Sequence, residues 1–209
     1  MLDRYLLPLL AAPHQAVARG CVAAGLSADL VTLTGAVVGL AAAPLIALGF
    51  PGWALLLFLG NRFLDGVDGH VARLRGATPR GAFLDIACDF LVYAAIPLGF
   101  AFADPAHNAL PAAALLAGFI GTATTFLAYA ATVGPGKVNP AYPNKGLYYL
   151  GGLTEGSETI LCFALMCLWP AHFPVMAWAF AAACALTTAT RLYVGAASLD
   201  GTPTHPEKP

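Results

Sequence analysis

The chain has 209 residues, of which 59% are hydrophobic and 10% are charged, and its formal net charge is −1. A soluble domain carries roughly 25% charged residues, so this composition excludes an ordinary water-facing surface and predicts an integral membrane protein. The nearly neutral net charge gives no excess of positive charge for binding nucleic acid, so we expect no nucleic-acid partner.

The apolar residues fall into six runs, each close to the roughly 20 residues that a membrane-spanning helix needs. The runs cover residues 28–50, 53–74, 81–103, 109–133, 147–169 and 173–197. Before them we predict an interfacial segment, in which Pro8 and Pro13 oppose a single continuous helix. The predicted fold is all-α, with one membrane domain over residues 1–200 and a loose tail over residues 201–209.

The lysines and arginines near the ends of the predicted spans indicate an orientation. With six spans they all fall on one side, while the opposite connections, residues 50–53, 103–109 and 168–174, carry neither residue type. Under the positive-inside rule both termini are predicted to be cytoplasmic. We expect the protein in the inner membrane of a bacterium.

Four aspartates lie close to the predicted cytoplasmic boundary of the second and third spans. Residues three or four apart share a helix face, so Asp65 and Asp68 form one stripe, and Asp85 and Asp89 form another. The short connection between the two spans predicts antiparallel neighbours. The four carboxylates are therefore predicted to converge from two walls.

Carboxylates in so small a space repel one another, and hard divalent cations resolve that conflict. Oxygen-only ligands favour Mg²⁺, Mn²⁺ or Ca²⁺ over zinc, and Mg²⁺ usually shares its shell with substrate phosphates. Gly69 and Ala72 leave room beside the carboxylates for a flat base or a sugar, and Arg73 supplies a planar cation suited to phosphate. This pattern predicts a metal-dependent enzyme acting on a phosphate ester.

The spacing D65-x-x-D-G-x-x-A-R73 followed by G81-x-x-x-D-x-x-x-D89 resembles the signature of the CDP-alcohol phosphatidyltransferases, in particular phosphatidylglycerophosphate synthase-like members. All eight fixed positions are present: Asp65, Asp68, Gly69, Ala72, Arg73, Gly81, Asp85 and Asp89. The segment between Arg73 and Gly81 is one residue shorter than is usual in the family. "DLVTLTG", ahead of these motifs, resembles the family's P-N-x-x-T-x-x-G pattern, with Asp29 in the place of Asn.

The resemblance implies transfer of a phosphatidyl group from a CDP-linked lipid, CDP-diacylglycerol, to a small alcohol, with release of CMP. It implies two Mg²⁺ or Mn²⁺ ions, with ligands at Asp65, Asp68, Asp85 and Asp89. It implies contacts to the CDP or CMP moiety at Asp65, Asp68, Gly69, Ala72, Arg73 and Gly81. Asp89 would also act as general base on the acceptor hydroxyl, and the protein would be a homodimer.

The acceptor is less constrained by the sequence. The candidate acceptor-binding residues are Lys137, Lys145, Glu155, Glu158 and Arg191. The cations suit a phosphorylated acceptor such as glycerol 3-phosphate or an inositol phosphate, but snorkelling at the membrane boundary also explains the two lysines. The glutamates could instead bind acceptor hydroxyls, attract an amine or pair with Arg191. Arg62 could likewise pair with Asp65 or bind phosphate.

Two other function classes fit the sequence less well than phosphatidyl transfer does. An aspartate-rich, Mg²⁺-dependent membrane prenyltransferase usually carries two separate aspartate-rich motifs and more spans. A non-enzymatic cation transporter needs acidic residues along a path near mid-membrane, whereas these cluster at one boundary beside an arginine. The G-x-x-x-G of Gly35 and Gly39 predicts close helix approach within the chain.

Overall fold

The computed structural model describes residues 3–133, 154 and 156–199. These residues contain no β-strand and form eight α-helices: α1 (Asp3–Ala23), α2 (Ala28–Leu40), α3 (Ala42–Ala47), α4 (Pro51–Arg75), α5 (Pro79–Ala103), α6 (Pro105–Val133), α7 (Gly156–Leu168) and α8 (Phe173–Leu199). A 3₁₀ turn, Pro170–His172, leads into α8. The predicted all-α fold class is confirmed.

Four stretches of the described chain are long and apolar enough to cross a membrane: Ala28–Ala47, Pro79–Ala103, Pro105–Val133 and Pro170–Leu199. Helix α4 is also 25 residues long, but it carries arginines and aspartates through its C-terminal half. Helix α7 is apolar and shorter. The protein is an integral membrane protein, whereas the count of six spans stays a prediction, as do the domain limits. The predicted tail lies outside the described residues.

One prediction about helix continuity was wrong. Helix α1 runs unbroken for 21 residues through Pro8 and Pro13. Each proline removes one backbone donor, and packing of α1 against α4 outweighs that loss. The first predicted span is divided at Ala41 into α2 and α3, because Pro44 cannot donate to the carbonyl four residues earlier, and Ala28–Ala47 as a whole remains long and apolar enough to cross a membrane.

The connection between α4 and α5 has only three residues. Gly76 ends α4 with φ of 98°, a conformation that favours glycine. Thr78 then caps α5, its Oγ1 accepting a hydrogen bond from the backbone N–H of Gly81 at 3.0 Å, and Pro79 occupies the first turn. This connection accommodates the short Arg73–Gly81 spacing and turns the chain back on itself.

Helix α2 packs against both α4 and α5, which make little direct backbone contact with each other. The close approach depends on Gly39, where a Cβ atom would lie 2.7 Å from Asn61 Cγ of α4 and 2.8 Å from Val92 Cγ2 of α5. One turn earlier, the carbonyl of Gly35 accepts a hydrogen bond from Asn61 Nδ2 at 2.9 Å. The predicted close packing at Gly35 and Gly39 is confirmed, and it makes α2 the wedge between the two aspartate-bearing helices.

Two apolar clusters hold the described helices together. The larger cluster contains residues from each of the helices α3 through α8 and includes the fully buried side chains Phe58, Phe163 and Phe173. The smaller cluster joins α1, α2 and α4 through Ala18, Val31, Val67 and Val71. Its position beside Asp68 fixes the part of α4 that carries the first two aspartates.

The wedge predicts the effect of adding one methyl group to α2. Gly39→Ala should destabilise the protein by about 1–3 kcal/mol, because Asn61 and Val92 are buried and cannot both retreat. The measurement is the midpoint of thermal unfolding in detergent. The matched control is Gly60→Ala in α4, where the new Cβ would meet only Val38 Cγ1 at 3.9 Å. Equal midpoints for the two variants would show that the close approach at Gly39 is not needed.

Candidate active site

Three of the four predicted aspartates meet at one point. One oxygen each from Asp65 and Asp68 of α4 and from Asp85 of α5 lie within 4.8 Å of one another. Asp68 is 4% exposed, so its charge is largely removed from water. Three carboxylates at this separation repel one another strongly and form the oxygen-rich ligand set that a hard divalent cation prefers. The donor chemistry fits Mg²⁺ or Mn²⁺.

Thr32 of α2 supports this cluster from the side. Its hydroxyl donates to Asp68 Oδ2 at 2.5 Å and is itself held 3.0 Å from the carbonyl of Ala28. This hydrogen bond orients one of the carboxylates, as residues behind metal ligands commonly do. Thr32 was missed among the candidate site residues, although it occupies the Thr position of the "DLVTLTG" pattern.

Asp89 lies outside the three-carboxylate cluster and contacts Arg62. Arg62 Nη2 donates to Asp89 Oδ1 at 2.7 Å, whereas Arg62 Nη1 lies 3.8 Å from Asp65 Oδ2. Asn61 Oδ1 accepts two further hydrogen bonds from the guanidinium, at 2.6 and 2.8 Å, and Tyr93 OH lies 3.2 Å from Nη1. Of the two predicted alternatives for Arg62 the structure supports ion pairing, with Asp89 rather than Asp65 as the nearer carboxylate.

The predicted nucleotide-contacting residues lie toward the end of α4 and the start of α5. A Cβ at Gly69 would approach Arg73 Nη1 at 3.5 Å, an ordinary contact, so glycine is not required there by packing. Arg73 is exposed, and its Nη2 lies 2.8 Å from Nδ1 of His70. At Gly81 a Cβ would lie 3.3 Å from Asp29 Oδ1, and that carboxylate also pairs with Arg80 at 3.3 Å. Contact of these residues with a nucleotide stays a prediction.

A cavity of about 230 Å³ opens beside Asp89 between α5, α6, α7 and α8. Its polar lining includes Arg191, Thr122 and Thr154. Arg191 is 6% exposed, and its Nη1 donates to the carbonyl of Thr122 at 3.1 Å. The cavity therefore places a buried cation and the Asp89 carboxylate around the same space. No feature of the sequence pointed to Thr122.

Of the remaining acceptor candidates, Glu158 lies among the described residues. Glu158 lines a separate, mainly apolar groove with Leu161 and Met176, and its Oε2 accepts a 3.3 Å hydrogen bond from the Ser157 hydroxyl. Lys137, Lys145 and Glu155 lie outside the described residues. The acceptor roles of these four residues stay predictions.

The chain is similar over most of its length to known proteins. Residues 26–189 match the family described as CDP-alcohol phosphatidyltransferase. The chain is 48% identical over 196 residues to inner membrane protein YnjF of Escherichia coli (strain K12), a match that covers 93% of this chain and 95% of that protein.

Solved structures of Mycobacterium tuberculosis phosphatidylinositol phosphate synthase (PgsA1) share the fold. The structure with CDP-DAG bound superimposes with a TM-score of 0.74 at 22% identity, covering 94% of this chain and 98% of that one. The structure with manganese and citrate gives a TM-score of 0.73 at 22% identity, covering 94% of this chain and 93% of that one.

The contact between Thr32 and Asp68 predicts a measurable effect on metal binding. Thr32→Val should weaken Mn²⁺ binding on the order of tenfold, because Asp68 loses the donor that orients its carboxylate. The measurement is Mn²⁺ titration of the purified protein by electron paramagnetic resonance. Thr34→Val is the matched control, since the Thr34 hydroxyl donates to the carbonyl of Leu30 within α2. Indistinguishable dissociation constants for the two variants would remove Thr32 from the site.

Proposed function

The chain belongs to the CDP-alcohol phosphatidyltransferase family, a family of transferases of substituted phosphate groups, and from this premise we propose that it transfers a phosphatidyl group from CDP-diacylglycerol to a small alcohol, releasing CMP. The observation that carries the proposal is the meeting of Asp65, Asp68 and Asp85 within 4.8 Å. Family membership argues against the prenyltransferase and the cation transporter.

The donor is proposed to bind where the three carboxylates meet. Asp65, Asp68 and Asp85 would hold Mg²⁺ or Mn²⁺, and the count of two ions, with Asp89 as a further ligand, is part of the proposal. Bound there, such ions would offset the negative charge of the diphosphate and of the departing CMP. Gly69, Ala72, Arg73 and Gly81 would line the CMP moiety, with Arg73 near enough to the boundary to reach phosphate.

Asp89 is proposed as the general base. Arg62 engages Oδ1 of Asp89, so Oδ2 is the oxygen assigned to the acceptor hydroxyl. The Asp89 side chain is 31% exposed, which lets an acceptor approach it. As Oδ2 takes the hydroxyl proton, the acceptor oxygen bonds to the lipid-side phosphorus and the bond from that phosphorus to CMP breaks. Arg62 is hydrogen-bonded to Asn61 and Tyr93, and it would orient the Asp89 carboxylate toward the reacting oxygen.

The acceptor is proposed to be a polyol phosphate, such as glycerol 3-phosphate or an inositol phosphate, bound in the cavity beside Asp89. Arg191 would bind the phosphate, because a planar guanidinium suits bidentate phosphate contact and a buried cation gains most from an anionic ligand. The threonines of the lining offer hydroxyl groups for the polyol. Lys137, Lys145, Glu155 and Glu158 are proposed as further acceptor contacts.

The proposed setting is a bacterial inner membrane, with the site and both termini on the cytoplasmic side. The lysine and arginine pattern supports this orientation. The Escherichia coli relative is itself described as an inner membrane protein. A homodimer is proposed from the family resemblance.

The base assignment predicts that Asp89→Asn loses CMP release. The rate should fall by about 10²–10⁴-fold, the usual contribution of a general base. The measurement is CMP formation by purified protein with CDP-diacylglycerol, Mn²⁺ and one candidate alcohol per reaction. Asp104→Asn is the control, since Asp104 lies at the opposite end of α5, where it pairs with His107. Wild-type rates in Asp89→Asn would exclude Asp89 as the base.

The acceptor assignment predicts a separate effect of Arg191→Gln. The KM for a phosphorylated acceptor should rise about tenfold or more, since a charge-assisted hydrogen bond is worth roughly 1.5–3 kcal/mol. The KM for CDP-diacylglycerol in the same preparation is the internal control and should stay within about twofold, well below the tenfold that 1.4 kcal/mol represents. An unchanged acceptor KM would instead favour an uncharged or cationic acceptor.

A further inference from the structure

Helix α1 approaches the aspartate-bearing turn of α4 closely at Gly66. Gly66 lies directly after Asp65 and two residues before Asp68. A Cβ atom at Gly66 would lie 2.7 Å from both Nδ1 and Nε2 of His14, and nearer still to Cε1. The imidazole of α1 therefore occupies the space that a side chain at residue 66 would need.

His14 is buried there although it is polar. It is 6% exposed, its ring lies 4.8 Å from the ring of Phe63 and 5.8 Å from that of His70, and Nε2 has no hydrogen-bond partner among the described residues. Burial, with a further contribution from His70, lowers the pKa of His14 and so favours the neutral form of the ring. The ring contributes volume at this contact rather than charge.

The surrounding residues make this contact a fixed one. Ala18, one turn beyond His14 on α1, and Val67 and Val71 of α4 are each fully buried. The side of the α4 turn that faces α1 is thus fully packed, while its other side presents Asp65 and Asp68 to Asp85. A shift of α4 at Gly66 would move two of the three clustered carboxylates.

We infer that His14 is a positioning residue for the metal-binding turn, its ring seated against Gly66 so that α1 holds Asp65 and Asp68 in register with Asp85. This inference rests on the proposed function, which makes these aspartates metal ligands. Ligand groups must be held within about 0.5 Å of their working geometry, so a contact at the intervening residue bears directly on affinity. Neither His14 nor Gly66 belongs to the fixed positions of the aspartate motif.

A double-mutant cycle tests the contact with the full-length protein. Gly66→Ala should weaken Mn²⁺ binding on the order of tenfold, because the added methyl group collides with the ring. His14→Ala should weaken it as well, since α1 loses its seat on α4. In the double variant the methyl group has room, so the second change should cost little and the affinity should match that of His14→Ala alone.

Gly60→Ala is the matched control on the same helix, because the new Cβ would meet only Val38 Cγ1 at an ordinary contact distance. This variant should bind Mn²⁺ as wild type does. Thermal unfolding without metal is recorded for every variant, since a merely structural role would change the midpoint without changing the Mn²⁺ dissociation constant of the folded protein. If Gly66→Ala cannot be purified, the Mn²⁺ dissociation constant of His14→Ala is compared with that of wild type. Equal values would overturn the inference.

Additive effects in the cycle, with the double variant binding more weakly than either single variant, would also overturn it. Failure of the proposed function alone gives a different result. The wild-type protein would then bind Mn²⁺ but form no CMP, and the Mn²⁺ affinities of the variants would still follow the pattern expected above. Absence of Mn²⁺ binding in wild type would contradict both proposals.

Discussion

Mutual repulsion of three carboxylates within 4.8 Å is the constraint on which the site depends. Each charged residue in a membrane segment costs at least about 2.5–3.5 kcal/mol on insertion scales, and crowding adds to that. Such a cluster persists only if its surroundings hold the side chains and a counter-charge satisfies them. Arg62 supplies one positive charge, chiefly to Asp89, and a divalent cation held by Asp65, Asp68 and Asp85, as proposed, would supply the positive charge that these three carboxylates lack.

Helices α1 and α2 pack closely against α4 and hold the aspartate side chains in place despite this repulsion. Helix α2 enters between α4 and α5 because Gly35 and Gly39 have no side chains to exclude Asn61, and it brings Thr32 to Asp68. Helix α1 approaches α4 at Gly66 for the same reason. The positions of the aspartates are thus set by helices that carry none of the clustered carboxylates.

Much of the site was predictable because it depends on local spacing. Residues three or four apart must share a helix face, and the short connection after Arg75 must return the chain, so the meeting of Asp65, Asp68 and Asp85 follows from the sequence. The partner of Arg62 did not follow, since the choice between Asp65 and Asp89 depends on how α5 is rotated against α4. Rotation is set by tertiary packing around α2, which periodicity does not report.

Local rules also failed where packing outweighs propensity. The prolines of α1 argued for a broken segment, yet the helix continues because one face is packed on α4. The hydrogen bond of Thr32 joins residues 36 positions apart, so helical spacing could not reveal it. The one sequence signal that could have identified Thr32 is its place in the "DLVTLTG" pattern.

Anomalous diffraction from crystals grown with Mn²⁺ shows directly whether Asp65, Asp68 and Asp85 together hold a metal ion. We expect a manganese peak between α4 and α5, coordinated by oxygens of Asp65, Asp68 and Asp85 at about 2.1 Å, the distance that small hard cations demand. A strongest peak remote from these three carboxylates, or none at saturating Mn²⁺, would contradict it.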